Sequence, residues 1–129
     1  MMDILKYFKK GLRGTILVND SHFSYGSQWQ AVETNLALDR WFSGDFASAE
    51  YTISIELGVD KKEIIKCLLT ASPNEASVVV YGRASTTTDL VNVTAQVTNS
   101  YVELILSPKT DAQKGCKASF SATYFKSHT

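Results

Sequence analysis

Between residues 46 and 108 the chain is a run of short segments in which apolar and polar side chains alternate. Tyr51, Ile53, Ile55 and Leu57 alternate with Thr52, Ser54 and Glu56. Val91, Val93, Ala95 and Val97 alternate with Asn92, Thr94 and Gln96, and Val102, Leu104 and Leu106 follow the same rule. Successive side chains of an extended strand point to opposite faces, so a period of two marks strands with one buried face and one polar face. A chain patterned this way folds as an antiparallel β-sandwich or an open barrel.

Turn residues cut the pattern at regular intervals. Ser43-Gly44-Asp45, a connection at 58–61, Ser72-Pro73-Asn74, a polar loop at 85–89 and Asn99-Ser100 separate strands predicted at 46–57, 63–70, 77–82, 90–98 and 101–107. Asn-Ser is a two-residue hairpin signal. Residues 108–115 form a last loop before a strand at 117–125. Upstream, residues 15–18 read as a short strand, 19–27 as turn-rich, and 29–38 as a strand whose Ala31, Val32, Glu33 and Leu36 also suit a helix. In the first dozen residues Met1, Ile4, Leu5, Phe8 and Leu12 follow helical spacing, with lysines opposite and Gly11 and Gly14 at the end. The expectation is an all-β, jelly-roll-like antiparallel sandwich of about eight strands over 14–129, preceded by a short amphipathic helix or arm over 1–13. No internal repeat is visible.

A length of 129 residues is one domain's worth, enough to bury a core without covalent staples. Thirteen basic residues balance thirteen acidic ones, and zero net charge argues against nucleic acid or an anionic membrane as the main partner. The charge is uneven. Lys6, Lys9, Lys10 and Arg13 against Asp3 give the first 13 residues +3, leaving −3 for the rest, so the arm could dock on an acidic neighbouring surface. Cys67 is in phase with Ile65 and Leu69, and Cys116 with Phe120 and Tyr124, which reads as two buried thiols; a disulfide needs their strands to be neighbours with suitable geometry. No apolar run serves as a signal peptide or approaches the roughly 20 residues of a membrane span. Synthesis and assembly in a reducing cytoplasm are expected.

Candidate chemistry is sparse. Asp20, Ser21 and His22 are triad residue types, but adjacent side chains cannot line up as nucleophile, base and orienter. Asp39, Asp45, Glu50, Glu56 and Asp60 lack the spacing of a calcium loop and read as surface charge. Two cysteines with the separated His22 and His128 make no zinc site. Trp29, Trp41, Phe42 and Phe46 cluster around one turn, where aromatic rings either plug the end of a core or stack on sugars.

The strand succession carries a resemblance. Phe46-Ala47-Ser48-Ala49-Glu50-Tyr51-Thr52-Ile53 is followed by Glu63-Ile64-Ile65-Lys66-Cys67-Leu68-Leu69. Ser77-Val78-Val79-Val80-Tyr81-Gly82-Arg83, Leu90-Val91-Asn92-Val93 and Val102-Glu103-Leu104-Ile105-Leu106-Ser107-Pro108 come next. This order resembles a small β-domain of virion structural proteins from tailed phages of marine cyanobacteria, over about half the chain. The resemblance implies a non-enzymatic building block of the particle, in tail, baseplate, fibre, neck or head surface. It brings no catalytic residues, cofactor or metal. The chain departs from the pattern in carrying the domain nearly alone, with the arm and residues 14–43 added.

The expected function is therefore that of a virion structural protein contacting other virion proteins and copies of itself. Leu5, Phe8, Trp29, Trp41 and Phe42 are the interface candidates, because large apolar groups near loops anchor interfaces. The alternatives are a head-surface decoration protein or a carbohydrate-binding module for host glycans.

Overall fold

The alternation at 46–57 becomes the longest strand of a two-sheet sandwich, and its buried positions are the ones the pattern marks. The computed structural model describes residues 13–18 and 22–128. Among them the chain forms ten strands: β1 Arg13–Val18, β2 His22–Gly26, β3 Gln30–Val32, β4 Leu36–Phe42, β5 Phe46–Leu57, β6 Lys61–Ala71, β7 Ala76–Ser85, β8 Val91–Thr98, β9 Tyr101–Pro108 and β10 Cys116–Lys126. The large sheet runs β1-β2-β10-β5-β6-β7, with β3 also paired to β10, and the small sheet runs β4-β9-β8. All pairings are antiparallel. The expected antiparallel all-β architecture is what forms. The predicted N-terminal helix, with Leu5 and Phe8, lies outside the described residues.

The core is the layer between the sheets. Tyr51, Ile53 and Ile55 of β5, Ile65, Cys67 and Leu69 of β6, and Ala118, Phe120 and Tyr124 of β10 meet Leu38, Trp41, Val102, Leu104 and Leu106 from the small sheet. Fully burying an aliphatic side chain contributes about 1.5–3 kcal/mol, so this layer dominates the stability. Cys67 and Cys116 are both free and buried, as their phase indicates.

Local chemistry sets the connections. Asn99 (φ 52°) and Ser100 (φ 69°) are both left-handed, the backbone of the tight turn that joins β8 to β9. Gly58 (φ 69°) opens the β5–β6 turn, where a residue without Cβ adopts this conformation at little cost.

Two expectations fail at the N-terminal side. Residues 19–27 contain a strand, β2, which pairs with β10 through Phe125↔His22 to Ser121↔Gly26. The predicted strand at 29–38 is two strands, β3 and β4, parted by a bend at Glu33-Thr34. β2 and β3 lie end to end on the same side of β10, and Ser27 bridges the gap. Its N–H donates to the Phe120 carbonyl (2.9 Å) and its hydroxyl accepts from the Phe120 N–H (3.2 Å). A side-chain oxygen thus substitutes for a strand carbonyl.

Candidate interaction surface

Two buried polar clusters fix the frame that presents the surface. The first begins with a bulge. β4 and β9 slip register between Ala37 and Asp39, leaving Leu38 as the extra residue, so Leu38 and Asp39 are both buried. Asp39 is only 6% exposed, which corrects its reading as surface charge. Its Oδ2 accepts from the Tyr124 hydroxyl at 2.5 Å and the Tyr51 hydroxyl at 2.7 Å, and its Oδ1 from the Arg40 N–H at 2.9 Å. Trp41 Nε1–H donates to the Tyr51 oxygen at 3.1 Å. Burial, followed by the charge of Asp39 and its hydrogen bond, holds the Tyr51 phenol well above its usual 10.0. The cluster lies in the core and serves packing.

The second cluster clasps the two sheets at one end. Glu63 of β6, buried, faces Arg83 Nε at 3.2 Å, accepts from Ser85 Oγ at 3.1 Å and caps the Leu90 N–H at 3.0 Å. Arg83 also reaches Asp89 (2.9 Å) and the Val91 carbonyl (3.0 Å), and Lys109 lies 3.5 Å from Asp89. The hydrogen bond from Arg83 holds the Asp89 carboxyl below its usual range. Both buried carboxylates are therefore occupied by structural partners.

What remains for recognition is the outside of each sheet. The outer face of the small sheet carries Arg40 stacked 4.0 Å over the Tyr101 ring and paired to Glu103 at 3.3 Å. Gln96 donates to the same carboxylate at 2.8 Å, and Phe42 meets Tyr101 edge to face at 6.0 Å. The Phe42 ring lies on Gly44, where a Cβ would fall 2.7 Å from the ring. The outer face of the large sheet is less self-satisfied. Ile64, Leu68, Val79, Tyr81 and Phe125 are each between 42% and 55% exposed there. Leu68 pairs with Val79 across β6–β7, Glu50 sits opposite Leu68 on β5, and Tyr81 donates its hydroxyl to Glu50 at 2.8 Å. A shallow depression of about 360 Å³ runs between Phe125, Leu68 and Val79 and is edged by Ser48, Thr70 and Ser77. Clustered exposed apolar side chains of this kind mark contact surfaces.

The sequence-predicted interface residues separate in the structure. Trp41 is a core residue, 2% exposed, stacked edge-on against Phe46 at 5.4 Å. Phe42 (42%) and Trp29 (50%) stand on the surface. Leu5 and Phe8 lie outside the described residues. The Leu68–Val79–Tyr81–Phe125 patch was not among the candidates. Its signal was in the sequence, since 78–81 is apolar at four consecutive positions and therefore on both faces of a strand.

No protein-family model matches the chain, and comparison with curated proteins gives no match. The fold does have solved neighbours. A tailspike protein of Acinetobacter baumannii phage AM24 superposes with a TM-score of 0.51 at 11% identity, over 82% of this chain and 26% of the tailspike. The tailspike protein of Acinetobacter phage vB_ApiP_P1 gives 0.51 at 9% identity, over 88% of this chain and 23% of its own. The chain spans about a quarter of the length of these tailspikes. At such identities the likeness is one of fold.

Proposed function

We propose that this chain is a non-enzymatic structural component of a tailed-phage virion, located in the tail-associated apparatus and working through protein–protein contacts. The observation that carries the reading is that most of the described sandwich superposes on a segment of two phage tailspikes. The resemblance of residues 46–108 to the virion β-domain of cyanobacterial phages points the same way. The surface supports it too, because the outer face of the large sheet gathers the exposed Leu68, Val79, Tyr81 and Phe125 beside hydroxyl side chains, suited to a partner's surface. The buried carboxylates Asp39 and Glu63 are bound by tyrosine, arginine, serine and backbone donors, which fits a scaffold better than acid–base work.

The glycan-binding alternative has less to stand on. Trp41 is in the core with its N–H bonded to Tyr51, and Arg40 covers one face of Tyr101, so of these aromatic rings Trp29 and Phe42 are the ones available for stacking. Immunogold labelling of purified particles tests the proposal. Gold at the tail end is expected. Gold spread over the head would favour the decoration alternative, and unlabelled particles alongside a labelled lysate would refute a virion role.

A further inference from the structure

The edges of the two sheets are protected unequally. An open strand edge exposes unpaired N–H and C=O groups, and natural proteins guard such edges with bulges, charges or inward-pointing charged residues. β4, one edge of the small sheet, has all three: the bulge at Leu38, the inward Asp39 and the outward Arg40. β7, the last strand of the large sheet, has no charge from Ala76 to Gly82. Its far half is guarded, by the bulge that makes Tyr81 the extra residue and by Arg83, which ties the strand to β8. The near half, Ala76 to Val80, pairs with β6 on one side and among the described residues with nothing on the other.

That half is apolar on both faces. Val79 points outward beside Leu68, 55% exposed. Val80 lies opposite the buried Cys67 yet is itself 36% exposed, and Val78 beside it is only partly buried. Across the gap, Val93, Ala95 and Val97 of β8 are likewise only partly buried on their inner face, whereas Leu90 and Val91 near the clasp are fully covered. Among the described residues the sandwich is thus closed at the Arg83 end and open at the Ala76 end, along an uncharged half-strand with valines on both sides.

We infer that β7 pairs antiparallel with β7 of a second copy of this chain, about a two-fold axis, extending the large sheet across the dimer. The occupant follows from self-complementarity. An added strand must be uncharged and apolar on both faces to match Val78, Val79 and Val80, and the same stretch of β7 in a second copy meets that demand. The outer face of β6 carries Lys66, and that of β8 carries Asn92, Thr94 and Gln96. An isologous contact sets identical patches against each other, and valine facing valine brings no like charges together. The inference deepens the assembly reading and rests on it.

The test uses the full chain and two variants. Val79→Lys places a charge on an exposed position, so the monomer's thermal midpoint should hold, while in the dimer it sets a lysine on each of the two apposed apolar stretches. Thr94→Lys on the outer face of β8 is the control. Light scattering behind size exclusion should show a dimer for the parent chain and Thr94→Lys, and at least a hundredfold weaker association for Val79→Lys, since facing like charges cost several kcal/mol. Hydrogen exchange should find the β7 amides protected in the dimer and released in Val79→Lys. A monomeric parent chain with fast-exchanging β7 amides overturns the inference. So does an oligomer that survives Val79→Lys, which places the contact elsewhere, or β7 protection in a monomer that is lost on deleting residues 1–12, which makes the arm the occupant. A monomer still incorporated into particles would remove the β7 dimer and leave the assembly reading intact.

Discussion

Replacing Asp39 by alanine should be among the most damaging single changes to this domain that leave its hydrophobic layer in place. The carboxylate is 6% exposed and accepts two tyrosine hydroxyls and one backbone N–H. Hydrogen bonds to a charged group contribute about 1.5–3 kcal/mol each, and stranding a buried donor costs about 1–3 kcal/mol. Arg40 N–H can reach water at the edge of the sheet, which leaves the two hydroxyls as the principal loss. Tyr51 keeps its contact from Trp41, so the sum is about 3–5 kcal/mol, a large part of a typical 5–15 kcal/mol stability. For a domain of this size that lowers Tm by roughly 10–20 °C. The assay is urea unfolding of the parent, Asp39→Ala, Tyr124→Phe and the double variant. Tyr124→Phe alone should cost about 1.5–3 kcal/mol, and the double variant less than the sum of the two, because the pair shares one bond. An Asp39→Ala loss under about 1 kcal/mol would show that desolvation of the carboxylate cancels its bonds, and additive costs would show that Asp39 and Tyr124 do not act as a pair.

Further outcomes follow from the same geometry. Tyr51 is held neutral above its usual 10.0, so the unfolded chain releases this proton first as pH rises. The stability it contributes is complete below pH 10.0 and declines above it, and Tyr51→Phe should flatten the alkaline limb of a pH–stability curve. Burial pushes the Cys67 thiol up to about 12, so a thiol reagent at mild pH should label it only on unfolding, and prompt labelling of the native protein would contradict its core position. Iodide should quench Trp29 and spare Trp41, so Trp29→Phe removes the quenchable fluorescence; persistent quenching would place Trp41 at the surface. Arg83→Ala strands the buried Glu63 and should cost about 3 kcal/mol, with faster exchange at β8, seen by hydrogen exchange.

How much of this was legible beforehand depended on whether side-chain phase alone carried the information. The strand at 46–57 and the turn at Asn99-Ser100 were legible because burial on one face and left-handed turn backbone both leave local marks. β2 was hidden because residues 19–27, closed by Tyr25-Gly26-Ser27, read as turn-rich, while its strand character comes from pairing with β10, almost a hundred residues away. The break between β3 and β4 depends on the same long-range ladder. Asp39 was misread although it lies two residues from Trp41 and so shares its face in an extended strand; a carboxylate in phase with a core tryptophan signals a buried acceptor. Trp41 itself suited core and interface equally in sequence, and only the packing of Phe46 and Tyr51 around it decides. The apolar patch at Leu68, Val79 and Phe125 needed the β5–β6–β7 and β10 registers to assemble it from distant residues.

Quantitative mass spectrometry of purified particles, dissociated into head and tail fractions, tests the proposed place of the chain in a virion tail. The chain is expected in the tail fraction, in a fixed whole-number ratio to other tail proteins. Its absence from particles, or its recovery with the heads alone, would contradict it.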